Sequence, residues 1–143
     1  MRLFTVLTGV ALAALSVTCA NATVRITGDP GGLMADYASR FTNFRQNGES
    51  VVIDGPCFSA CTMVLGYVPR ERVCVTHNAV LGFHAAWRFD PNGRRVTSAE
   101  ATQALIETYP GPIRTWLARR GGLSPKMKLL RGRELSAMYR TCR

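Results

Sequence analysis

Between residues 50 and 67 the chain changes its hydrophobic pattern abruptly, and this limits the fold more than any other feature. Ser50 to Asp54 carries the run Val51-Val52-Ile53, with the low polarity of a strand inside a parallel sheet. Gly55 and Pro56 make a tight turn. From Ala60 to Tyr67 the chain is apolar again and can start a helix. A strand followed by a turn and a buried helix is one step of an α/β layered fold. The turn carries Ser59 to the first helical residues, where backbone N–H groups and the positive helix end can hold an acyl oxyanion.

The other elements follow from periodicity. Val24 to Thr27 alternates as a short strand, and Gly28 to Gly32 is a turn. Leu33, Met34, Tyr37, Phe41 and Phe44 recur at helical spacing, so a helix over 33–45 with one buried face is expected, closed by Asn47-Gly48. Short strands are expected at 72–76 and 79–83. The second of these ends at His84, one of two histidines; the other, His77, sits in a turn. Phe89 to Gly93 reads as a loop. Thr97-Ser98-Ala99-Glu100 resembles a capping box opening a helix to about Tyr109. Gly111-Pro112 opens another helix and Gly121-Gly122 close it. Ser124-Pro125 is expected to open a third, and Glu134 to Tyr139 a last turn or helix.

A serine at a strand-to-helix turn and a histidine at the end of a later strand suit a nucleophile and its general base. These residues resemble the Clp protease proteolytic subunit, the crotonase-like superfamily around it, and above all its small secreted or periplasmic relatives. The segment Ser59-Ala60-Cys61 matches the family's nucleophile segment, and His84, 25 residues on, matches its base. Gly28-Asp29-Pro30-Gly31-Gly32 matches the Pro-Gly-Gly turn that helps form the oxyanion hole. The resemblance covers roughly Val24 to Tyr139. It implies a ClpP/crotonase-like layered α/β fold of short parallel strands with flanking helices, abbreviated at the N-terminus. It further implies a hydrolase of peptide or ester substrates that needs no cofactor. Ser59 and His84 would be catalytic, with Gly31, Gly32 and Ala60 around the oxyanion. The family's aspartate falls at Gly132 in an ungapped match; Glu134, two residues on, and Asp90, after His84, are the acids nearest in sequence.

The N-terminus reads as a secretory signal peptide over 1–22: basic Arg2, an apolar stretch from Leu3 to Val17, and Ala20-Asn21-Ala22 as the cleavage site. An uncleaved anchor or a lipoprotein at Cys19 are the weaker alternatives. A secreted or periplasmic domain over 23–143 would keep Cys57, Cys61, Cys74 and Cys142, an even set that points to two disulfides. Cys61–Cys74 with Cys57–Cys142 is the favoured pairing, and a local Cys57–Cys61 bond is its rival. The spacing lacks a second compact ligand pair for a structural zinc, so no metal is expected.

The net charge is +9, with basic residues concentrated after Arg114. A basic C-terminal face would attract acidic partners, although no nucleic-acid motif accompanies it. Two functions follow from different classes. One is a Ser-His hydrolase, as a monomer or small homo-oligomer. The other is a catalytically inactive, disulfide-stapled binding module in which Ser59 merely caps a helix. A crotonase-type acyl-CoA enzyme ranks third, because export removes the chain from CoA.

Overall fold

The computed structural model describes residues 22–143. The expected signal peptide lies outside the described residues, apart from Ala22. Strand β1 (Thr23–Ile26) leads through the Pro-Gly-Gly turn into helix α1 (Met34–Gln46) and then strand β2 (Ser50–Ile53). The chain turns into strand β3 (Pro56–Phe58), a 3₁₀ turn (Ser59–Met63) and the short helix α2 (Val64–Tyr67). Strands β4 (Val73–Val75) and β5 (Val80–Phe83) follow, then strands β6 (Trp87–Phe89) and β7 (Arg95–Thr97). Helices α3 (Ala99–Thr108) and α4 (Gly111–Ala118), strand β8 (Lys128–Arg131) and helix α5 (Gly132–Ser136) complete the chain.

The strands form two small three-stranded sheets and a hairpin. In the first sheet, β2 lies between β1 and β4, all parallel, with Val24 opposite Val51 and Val52 opposite Cys74. In the second, β5 lies between β3, parallel to it, and β8, antiparallel to it, with Phe58 opposite Gly82 and Gly82 opposite Leu129. Both central strands are almost wholly buried, which accounts for their unbroken apolar runs.

One core joins the layers. Phe83 stands edge-on to Tyr109, with ring centroids 5.3 Å apart, and packs at a tilt on Trp116. All three side chains are buried, and removing such a ring from water stabilises a fold by about 1.5–3 kcal/mol. Helices α3 and α4 thus hold the far end of β5, the strand that runs to His84.

Several local expectations need correction. The helix expected at Ser124-Pro125 is a bend leading into β8, because pairing along the open edge of β5 and burial of Leu130 outweigh local helix signals. The loop expected at 89–93 is the turn of the β6–β7 hairpin. The segment after Ser59 begins as a 3₁₀ turn, and its α-helical part is one turn long. Helix α3 is capped by Ser98, which accepts from the Ala101 N–H, so Glu100 is not at the position a capping box requires. Leu33 precedes α1 and is exposed, off the buried face formed around Phe41.

The favoured disulfide pairing is also overturned. The bonds are Cys57–Cys61 and Cys74–Cys142. The chain after α5 returns along β4, where Val75 bridges Thr141, and this sets Cys142 beside Cys74. The tight turn after β3 brings the Cα atoms of Cys57 and Cys61 to 5.3 Å.

Candidate active site

Ser59 follows β3 and opens the 3₁₀ turn with φ +55°, the only non-glycine residue in the left-handed region among the described residues. A β-carbon is disfavoured there, so the surrounding structure has to hold the turn. Four contacts do so. The Cys57–Cys61 bond closes across it. The Asp29 carbonyl accepts from the Phe58 N–H at 2.9 Å, and the Asp29 N–H donates to the Pro56 carbonyl at 2.8 Å. Behind the turn, the Thr62 hydroxyl donates to the Ser59 carbonyl at 2.6 Å. The Tyr109 hydroxyl, also 2.6 Å from Thr62 Oγ1, is then the donor to Thr62. Burial pushes the Tyr109 hydroxyl well above the usual phenol range, so it keeps this proton. A serine on a sharp strand-to-helix turn of this kind carries its hydroxyl clear of the sheet.

The Pro-Gly-Gly turn abuts Ser59. A β-carbon placed on Gly31, where φ is +83°, would lie 2.6 Å from both the Phe58 carbonyl oxygen and Ser59 Cβ, and 2.9 Å from the Ala60 nitrogen. Only glycine permits this approach. The Gly31 N–H donates to Asp29 Oδ1 at 2.9 Å and is therefore occupied. No hydrogen bond within the described residues uses the Gly32 N–H, and the Ala60 N–H stands at a helix start, where no intrahelical acceptor exists. Of the expected oxyanion donors, Gly32 and Ala60 are thus available, while Gly31 supplies the space.

Asp29 organises this side of the site. It accepts from the Tyr37 hydroxyl at 2.5 Å and pairs with Arg40 at 3.1 Å. Burial, reinforced by the bond to Asp29, pushes the Tyr37 hydroxyl up to about 12. The tyrosine therefore remains a donor at neutral pH.

His84 is half-buried at the end of β5. Its Nδ1 lies 2.8 Å from the Ala85 carbonyl oxygen. A carbonyl can only accept, so Nδ1 carries a proton and neutral His84 presents Nε2 as the free lone pair. Ser59, His84, Gly31, Gly32 and Ala60 all line one cleft of about 730 Å³, together with Leu33, Met34, Leu105 and residues of the β6–β7 hairpin. Within the described residues no hydrogen bond joins the Ser59 hydroxyl to His84; such contacts often form only once substrate is bound.

The remaining candidates lie elsewhere. Glu134 pairs with Arg120 at 2.5 Å on the surface and does not line the cleft. Gly132, at the position of the family's aspartate, opens α5. Asp90 accepts from the Asn92 and Arg94 N–H groups within the hairpin turn, and these bonds, that to Arg94 foremost, hold its carboxyl below the usual range. His77 is exposed in a turn. Among the described residues no carboxylate orients the His84 ring; a backbone carbonyl takes that place. Trp87, 42% exposed, lines the cleft. Among the described residues there is no group of three or more His, Cys, Asp and Glu side chains able to hold a metal.

Sequence reasoning missed the supports: Thr62, Tyr109, Asp29, Tyr37 and Arg40. The only sign for Asp29 was its place in the glycine-rich turn. Nothing in the local sequence ties Tyr109 to a residue 47 positions earlier.

The architecture is shared with a solved structure of a peptidase from Plasmodium falciparum. The TM-score is 0.51 at 10% sequence identity, over 82% of this chain and 75% of that one. At this identity the likeness is one of fold, and the fold is mixed α/β and peptidase-like. No protein-family model matches the chain, and no curated protein matches it by sequence.

Proposed function

We propose that the chain is a ClpP/crotonase-like serine hydrolase, exported and acting on peptides. The observation that carries this reading is the joint placement of Ser59, held at positive φ, with His84, Gly32 and Ala60 around one cleft. In the reaction, His84 Nε2 takes the Ser59 hydroxyl proton as Oγ attacks the scissile carbonyl. The Gly32 and Ala60 N–H groups hold the developing oxyanion. His84 then returns the proton to the leaving amine, and water, activated by the same nitrogen, releases the acyl group from Oγ. Two disulfides support export, since such bonds persist in oxidising compartments. The fold shared with the P. falciparum peptidase supports the peptidase class.

A second reading is favoured by the lack of a carboxylate on His84 among the described residues and by the pairing of Glu134 with Arg120. In it the fold is kept as a binding module with a basic face for acidic partners. Labelling of the oxidised protein with a fluorophosphonate separates the two. The hydrolase labels at Ser59, and Ser59→Ala and His84→Ala abolish labelling. A folded wild type that fails to label is the binding module.

A further inference from the structure

The cleft has a charge character that the chemistry above does not use. Its lining includes two arginines, Arg88 and Arg95, and no Asp or Glu, and the hairpin register sets Arg95 on the same face as Trp87 and Phe89, with Arg88 on the other. Neither arginine belongs to an ion pair among the described residues, whereas Arg25, Arg40, Arg94 and Arg120 each do. Arg95 lies over the Trp87 ring, 4.1 Å from its centroid, a contact that favours one orientation of the guanidinium before any ligand arrives. An oriented and unpaired guanidinium beside apolar walls is a carboxylate-binding arrangement.

A second hollow adjoins the cleft, and His84, Trp87 and Arg95 line both. Ser59 and the oxyanion donors line only the larger hollow, so the acyl half of a substrate lies there, against Leu33, Met34 and Leu105. The smaller hollow, walled by Val96, Pro125 and Met127, shares His84 with the cleft but does not reach Ser59. The group that receives the His84 proton, the leaving half, is directed into it. Arg95 stands at the division between the two.

We infer that the site selects peptides with an acidic side chain just after the scissile bond and an apolar one before it, the carboxylate being held by Arg95. This rests on the hydrolase reading for its orientation, but the charge preference is a property of the cleft. Repulsion of the opposite charge sharpens the choice, since a lysine in that place would face the unpaired Arg95 guanidinium.

The test uses three peptides of one sequence that differ in the residue after a central leucine: Glu, Gln or Lys. Binding is read by tryptophan fluorescence on the full-length mature Ser59→Ala protein, so the preference is measured without cleavage. Turnover is read on wild type. The Glu peptide is expected to bind at least tenfold tighter than the Lys peptide, with Gln between them. Arg95→Gln should remove most of the difference, and Arg133→Gln, a basic residue on α5 away from the cleft, should leave it intact. Equal binding of the three peptides overturns the inference. So does an equal loss with Arg133→Gln, which would mean general attraction to a basic protein. Preferential binding without turnover by wild type keeps the charge preference and removes the hydrolase.

Discussion

Gly31 offers the most direct test of the site's construction, through Gly31→Ala. Two costs combine at this position. At φ +83° an alanine is strained by about 1–2 kcal/mol whatever surrounds it. Its methyl would also sit 2.6 Å from Ser59 Cβ and from the Phe58 carbonyl, and overpacking of this kind costs about 1–3 kcal/mol. The total is about 2–5 kcal/mol. Gly93→Ala is the matched control: φ there is +74° and nothing lies within 4 Å of the added carbon, so only the conformational cost of about 1–2 kcal/mol applies. The colliding methyl can only be accommodated by displacing the Ser59 turn, and a displacement of about 1 Å at a reacting group costs about 100-fold in rate. Urea unfolding of both variants measures the stabilities, and the rate of fluorophosphonate labelling measures the geometry. Gly31→Ala should be the less stable variant and should label about 100-fold more slowly than Gly93→Ala. If the two variants match in stability and Gly31→Ala labels at the wild-type rate, the Pro-Gly-Gly turn does not abut Ser59 and cannot be shaping the site.

Other predictions follow from the same contacts. By loop-closure entropy, removing Cys74–Cys142, which spans 68 residues, should cost about 4 kcal/mol, and removing Cys57–Cys61 about 2 kcal/mol. The order for Ser59 labelling should be the reverse, because only the second bond closes across the nucleophile turn; paired Cys→Ala variants under denaturant and under probe test both orders. Thr62→Val leaves the buried Tyr109 hydroxyl without its acceptor and should cost about 1–3 kcal/mol, whereas Tyr109→Phe should cost about 1 kcal/mol. Equal costs in thermal unfolding would contradict the donor assignment. Asp54 accepts from Thr76, Asn78 and Arg25, and these bonds, that from Thr76 foremost, hold its carboxyl below the usual range. The stability it adds is present above its unfolded-state value near 4 and is lost as the pH falls through the lower folded value. Asp54→Asn should accordingly flatten the acid limb of the stability curve; an unchanged limb in pH-dependent urea titrations would refute the assignment.

The parts of this protein that were legible in the sequence are those encoded by neighbouring residues. The unbroken Val51-Val52-Ile53 run had to be an inner strand, and the spacing from Tyr37 to Phe44 had to be a helix with one buried face. Ser59 had to stand at a turn, because Gly55-Pro56 and the apolar segment after it allow little else. His84 at a strand end followed in the same way. Each of these depends on propensity and period within a few residues. What only the tertiary structure decided depends on groups distant in sequence. Strand β8 exists because β5 had an open edge, against helix signals at Ser124-Pro125. The cysteines paired as they did because the last residues return along β4. Tyr109 reached Thr62, Asp29 bridged two turns, and Arg95 settled on Trp87 beside the histidine, none of which a local pattern carries. The sequence by itself thus pointed to the candidate nucleophile and its base, since their chemistry is local. Whether an acid stood behind the histidine was a matter of three-dimensional approach, and there the fold placed a backbone carbonyl while Glu134 went to Arg120.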